Sequence, residues 1–272
     1  MSKKLKTYYI AYFDILGYKA FLKENPNEVL NFLEKNISIA QDIINKSYKI
    51  FSDMKFITKC FSDNFIILLE EKCQTDGYQE VKALGYLCAI FQLRFLEKYS
   101  ILLRGSITKG KTYIDSNIVF GDGVVRAVEM ENYANFPRII IDKERITNTV
   151  CEDLCEKCVT LDDDNEYYVN FFEIIDTVVG SEEYFSENVS EHISRIKNNI
   201  ESLVMRYCKY PNCVTESNNI QQIQKIISKY VWLLSKFNHY CEIYEPEYYI
   251  KHSFVLNKYF MNCEVEVTKC EK

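Results

Sequence analysis

The chain has 272 residues, 47% hydrophobic and 26% charged, with 8 glycines and 4 prolines. That supplies one large domain, or one domain with an elaborate extension, and argues against disorder and long linkers. A formal net charge of −6 argues against non-specific binding to nucleic acid or an anionic membrane. No run is apolar enough to span a membrane, and the basic start MSKKLK, followed by Tyr, Asp and Gly and not by a long apolar stretch, is not expected to be an export signal. The expectation is a cytoplasmic protein without membrane insertion, whose 11 cysteines are reduced thiols.

Residues 7–21 read TYYIAYFDILGYKAF. Its apolar, aromatic start predicts a strand that ends at Asp14 and turns through Gly17 into a helix. A carboxylate at the end of a buried strand needs a partner or a cation. The turn formed by Ile15, Leu16, Gly17 and Tyr18 offers backbone N–H groups at a helix start, where anions bind. The plainer alternative makes Asp14 a cap for that helix. A long amphipathic helix is predicted over 28–51, after the turn-forming Asn25-Pro26-Asn27. Two strand-like runs, 56–61 and 65–69, flank Ser62-Asp63-Asn64, a hairpin signal that puts Asp63 at the tip.

A second helix is predicted from Gln79 to about Lys98, then a strand over 99–109 punctuated by Gly105 and Gly110 and carrying Arg104. A small hairpin pairs 112–114 with 118–120. Gly121-Asp122-Gly123 opens a helix over 124–135, and 137–142 reads as another strand. The first six elements give β-α-β-β-α-β, so the expected class is α+β: a ferredoxin-like core with an antiparallel sheet. The expected division is a core over 1–145 and a mostly helical C-terminal extension over 146–272. That extension has a strand near 165–175 and helices at 187–207 and 218–240.

Within the extension, 143–158 is predicted helical. Cys151, Cys155 and Cys158 then share one helix face. Zinc would need a fourth ligand, and the histidines lie far along the chain, so the alternative is a face packed on the core. Asp162-Asp163-Asp164 lacks the ligand spacing of a calcium loop.

In a β-α-β-β core the end of the first strand meets the following hairpin turn, which brings Asp14 and Asp63 together. Adjacent carboxylates repel, which raises a pKa or recruits a divalent cation, and oxygen ligands favour Mg²⁺ or Mn²⁺. The motifs at these positions resemble those of class III nucleotide cyclases. FDILGY is similar to the first-strand motif of that family, and KCFSDNF to its metal hairpin; RGSITKG and VFGDGVVRAVEME are similar to its later strand and helix. With FPRIIID added, the set is most similar to the pyrimidine cyclases of Pycsar anti-phage systems, over residues 7–142.

The resemblance implies attack of the 3′-hydroxyl of UTP or CTP on its own α-phosphate, giving a cyclic nucleotide and pyrophosphate. It implies two divalent ions, Mn²⁺ or Mg²⁺, held by Asp14 and Asp63. Triphosphate would lie on the N–H groups of Ile15, Leu16, Gly17 and Tyr18. Lys59 would read the base, or be a solvated strand-edge lysine. It further implies a homodimer with sites at the subunit interface, and a cyclic product read by a separate effector protein. The sequence departs from the purine enzymes at Val125 and Glu129, where they carry an Asn and an Arg. Arg138 and Arg104 become the candidates for the missing cation, and each could instead be a structural ion-pair residue. A cyclase-like sensor that binds nucleotide without turning it over is the alternative. A diguanylate cyclase is disfavoured by the lack of a GGDEF-type sequence, and a polymerase by the lack of an evident basic groove.

Overall fold

The computed structural model describes residues 4–18, 22–23, 34, 42–43, 45, 51, 54–72, 76–155, 158–175, 188–208 and 217–251. Two compact units divide the chain, residues 1–186 and 187–272. The helix predicted over 28–51 lies mostly outside the described residues; Glu34, Asp42, Ile43 and Asn45 within it are helical.

The first unit is built on β1 (Lys6–Ile15). It pairs antiparallel with β3 (Asn64–Glu70) on one side and β4 (Leu103–Ile114) on the other, and β2 (Phe56–Phe61) flanks β3. With α1 (Tyr78–Tyr99) between β3 and β4, the order β2-β3-β1-β4 is that of a ferredoxin-like core. From Tyr8 to Phe13 every residue of β1 is buried, so both faces of the sheet are covered. On one face Phe13 stacks on Phe65 at 5.3 Å, and Phe91 and Phe95 of α1 complete the aromatic layer. On the other, Tyr8, Ile10, Tyr12, Ile66 and Leu68 pack against Ala127 of α2 (Asp122–Tyr133).

The sheet continues past the expected core. β6 (Ile139–Ile141) joins β4 in parallel, β8 (Tyr167–Val169) pairs antiparallel with β6, and β7 (Val159–Leu161) pairs with β8. The first unit therefore runs to residue 186, beyond the division expected at 145, because β7 and β8 take their backbone partners from the same sheet. A short β5 (Val119–Phe120) pairs with the end of β4.

Two expectations are corrected here. The strand predicted over 99–109 starts later and runs further, as one strand from Leu103 to Ile114. Its glycines do not interrupt it; they admit close neighbours. A Cβ on Gly110 would lie 2.4 Å from the Cα of Gly123, so α2 starts directly on the β4 backbone. The helix predicted over 143–158 shrinks to α3 (Asn148–Leu154). Cys158 lies beyond its end, so the three cysteines do not share a helix face. Cys151 and Cys158 are buried, and burial pushes the Cys151 thiol up to about 12. Among the described residues no group of three or more His, Cys, Asp or Glu could hold a metal ion.

Asp142, just after β6, is fully buried and ties three elements together. Arg126 of α2 donates to both its oxygens, at 2.8 and 2.9 Å, and the Thr108 hydroxyl of β4 donates at 2.6 Å. Burial alone would raise this carboxyl; the bonds from Arg126 and Thr108 outweigh it and hold the group below the usual carboxylate range. Unfolded, it titrates near ~3.9. A depressed folded value stabilises the native state above the unfolded pKa, and that contribution is lost as pH falls through the folded value. Thr108→Val removes one bond to the anion, so acid unfolding of the variant is expected to begin at higher pH than in wild type. Denaturant midpoints measured from pH 2 to 6 check this, and an unmoved onset contradicts it.

The second unit holds α4 (Val189–Cys208), α5 (Ser217–Tyr244) and a 3₁₀ turn (Pro246–Tyr248). Ile193, Ile196, Ile200, Leu203 and Val204 give α4 a buried stripe at helical spacing. The buried Asn238 side chain exchanges two hydrogen bonds with the backbone of Ile250, at 2.8 and 2.9 Å, fixing the chain after α5. Among the described residues no helix is long and apolar enough to cross a membrane.

Candidate active site

Strand register assembles the site. At the end of the sheet Phe61, Asn64, Asp14 and Arg104 lie side by side on β2, β3, β1 and β4. Side chains alternate between faces along a strand, so this row shares its face with the row of Lys59, Ile66, Tyr12 and Ser106 behind it. Asp63 occupies the turn beside Asn64, after Ser62 in a left-handed conformation at φ 55°.

The polar groups are interlocked. Arg104 sits between two carboxylates: its guanidinium lies 3.4 Å from Asp14 Oδ2 and forms an ion pair with Glu131 of α2. Glu131 is buried, Asp14 and Arg104 about one-fifth exposed. The Tyr12 hydroxyl donates to Asn64 Oδ1, and Asn64 Nδ2 donates to Asp63 Oδ1 at 3.2 Å. Burial, then the nearby carboxylates of Glu131, Asp14 and Asp63, push the Tyr12 phenol up to about 12 against the opposing pull of Arg104. The phenol is therefore protonated, and a donor, throughout the neutral range. Asp14 lies opposite Asn64 in the β1–β3 register, and Asn64 bonds to Asp63, so the end of β1 meets the hairpin turn.

The structure separates the two candidate arginines. Arg104 is in the row with Asp14. Arg138 is fully buried and committed elsewhere: it pairs with Asp162 and Asp164, donates to the Ala134 carbonyl at 3.1 Å, and lies over the rings of Phe136 and Tyr168. These are the contacts of a structural ion-pair residue, the second of the two roles the sequence left open for Arg138. The acidic run Asp162-Asp163-Asp164 supplies those partners.

The turn after β1 also needs a correction. Leu16 donates its N–H to the Leu102 carbonyl at 2.9 Å, so that group is not offered to an anion. Ile15 is buried, whereas Gly17 is exposed in a left-handed conformation at φ 83°. Lys59, on edge strand β2, donates to the Ser116 carbonyl of the β4–β5 turn at 2.5 Å. Val125 and Glu129 lie on the exposed side of α2, away from the Ala127 and Glu131 side that meets the sheet.

Three site residues escaped the sequence reading: Tyr12, Asn64 and Glu131. Each had a positional signal. Tyr12 is two before Asp14 and so on its face, Asn64 directly follows Asp63, and Glu131 closes the motif that begins at Gly121.

No protein-family model matches the chain, and no curated protein does. Among solved structures, the adenylyl cyclase CyaB from P. aeruginosa is 14% identical, with a TM-score of 0.49 over 62% of this chain and 96% of that one. The catalytic core of a rhodopsin-guanylyl cyclase with converted specificity, in complex with ATPalphaS, is 13% identical, with a TM-score of 0.44 over 61% and 96%. A class III adenylyl cyclase-like ATP-binding protein from Pseudomonas aeruginosa is 10% identical, with a TM-score of 0.40 over 70% and 40%.

Proposed function

We propose that this protein is a cytoplasmic, homodimeric pyrimidine nucleotide cyclase. It would convert UTP or CTP to the 3′,5′-cyclic nucleotide and pyrophosphate, as a signal read by a separate effector in anti-phage defence. The observation that carries the reading is the end of the sheet: Asp14, Asn64 and Arg104 in one row with Asp63 beside them. The motifs that resemble the cyclases contribute these residues from three distant segments. The substrate class, the dimer and the defence role rest on that resemblance.

The donor set fits a hard divalent cation. Asp14 and Asp63 would hold Mn²⁺ or Mg²⁺, with triphosphate oxygens and water filling the other positions. Bound there, the ions would activate the 3′-hydroxyl and stabilise the leaving pyrophosphate. The remaining work belongs to the chain. The N–H groups of Gly17 and Tyr18 point the polyphosphate at the sheet end in this reading. Lys59 reads the base after giving up the Ser116 carbonyl. Arg104, held by Glu131, supplies the positive charge that Val125 and Glu129 cannot.

The test is incubation of purified protein with each of the four NTPs and Mn²⁺, with products identified by mass spectrometry. A cyclic pyrimidine nucleotide and pyrophosphate are expected. Arg104→Ala should lower kcat by about 10²–10³ with a smaller change in KM, as loss of a preorganised donor does; wild-type kcat would remove Arg104 from the reaction. Lys59→Ala should change the preference among NTPs more than the maximal rate, and equal loss with all four would reassign it to phosphate or structure. One observation favours a second reading: Arg104 already places positive charge against Asp14, as a nucleotide sensor without turnover could allow. Tight binding of one NTP with no product from any would establish that reading instead.

A further inference from the structure

The hydrogen bonds around Asp63 run in one direction. The Tyr12 hydroxyl donates to the amide oxygen of Asn64, and the amide nitrogen of Asn64 donates to Asp63 Oδ1. An amide has one acceptor end and one donor end. Fixing the oxygen toward Tyr12 therefore fixes the nitrogen toward Asp63. Tyr12 is itself immobile: it is 8% exposed, in the middle of β1, and packed with Ile10, Ile66 and Ala127. Asp63, by contrast, sits on a two-residue turn between β2 and β3 and is partly exposed.

We propose that Tyr12 is a positioning residue for Asp63, acting through Asn64, and that the pair sets the affinity of this site for a divalent cation. The inference rests on the reading of Asp63 as a metal ligand. The physical cause is preorganisation. A carboxylate already held in one orientation loses less freedom on binding a cation, and the bond from Asn64 engages one of its two oxygens, Oδ1. Partners that orient a ligating carboxylate in this way typically change metal affinity by about 10–100-fold when removed.

The test is titration of the nucleotide-free protein with Mn²⁺, followed by loss of the free-ion electron paramagnetic resonance signal. Tyr12→Phe deletes the hydroxyl and keeps the ring; Asn64→Ala deletes the relay. Each is expected to weaken Mn²⁺ binding by about 10-fold or more, and the double variant to be no weaker than the worse single one, because both cut the same chain. A denaturation midpoint for each variant shows whether the change is local. Tyr12→Phe that folds and binds Mn²⁺ like wild type overturns the inference, as does a double variant whose losses simply multiply. A folded wild type that leaves the Mn²⁺ signal untouched overturns the metal reading and this inference together. Wild-type binding with an unaffected Tyr12→Phe overturns the inference alone.

Discussion

Asp14→Ala and Asp63→Ala are each expected to cut turnover to about one-thousandth of wild type or less, without unfolding the protein. A bound cation contributes several kcal/mol of transition-state stabilisation, and each ~1.4 kcal/mol is tenfold in rate. The fold survives because neither change strands a buried charge. When Asp14 is removed, Arg104 keeps its ion pair with Glu131. Asp63 sits on a turn and is only partly buried. Activity with saturating Mn²⁺, together with a thermal midpoint, checks both halves. Near wild-type turnover in either variant ends the two-carboxylate assignment.

Arg138→Ala should do the opposite, harming the fold and sparing the chemistry. Its guanidinium has no exposure, and Asp162, which it pairs with, is also buried. Removing one partner of a buried pair leaves an uncompensated charge and costs about 3–5 kcal/mol. The vacated space between Phe136 and Tyr168 adds a packing loss. A large fall in the urea midpoint is expected, with kcat per folded molecule close to wild type. Asp162→Asn added to Arg138→Ala should recover part of the stability, since it removes the stranded anion. A catalytic defect in the folded fraction would return Arg138 to the site.

Local pattern made the core of the fold legible. The aromatic strand before Asp14, the hairpin signal around Asp63 and the helix after Tyr78 are all short-range features, and β1, β2, β3 and α1 follow them closely. The convergence of Asp14 with the Asp63 turn also follows from topology alone. What was illegible depends on pairing between distant segments. Nothing near Arg138 announces that Asp162 and Asp164 will meet it, because that requires β8 to join the sheet first. Likewise the Leu16 amide looks available in the sequence and is taken by Leu102 from across the chain. Gly105 and Gly110 look like strand breakers because a one-dimensional pattern cannot show the backbone and helix that press on them. Tyr12 was hidden by its neighbours: among so many aromatic residues it reads as one more apolar strand position.

The central place of β1 has a consequence for how the protein is made. Its two partners are far along the chain: Phe13 pairs with Phe65 on one side and with Gly105 on the other. During synthesis the apolar ribbon TYYIAYF emerges early with both edges unsatisfied. At about 5–20 residues per second, β4 follows it only about 5–20 s later. Throughout that interval the segment combines high strand propensity with no charge and no proline, the composition that promotes intermolecular pairing. Non-local pairing also slows folding once the chain is complete. Yield from a fast expression host should therefore be limited by chaperone supply and temperature more than by the stability of the finished sheet.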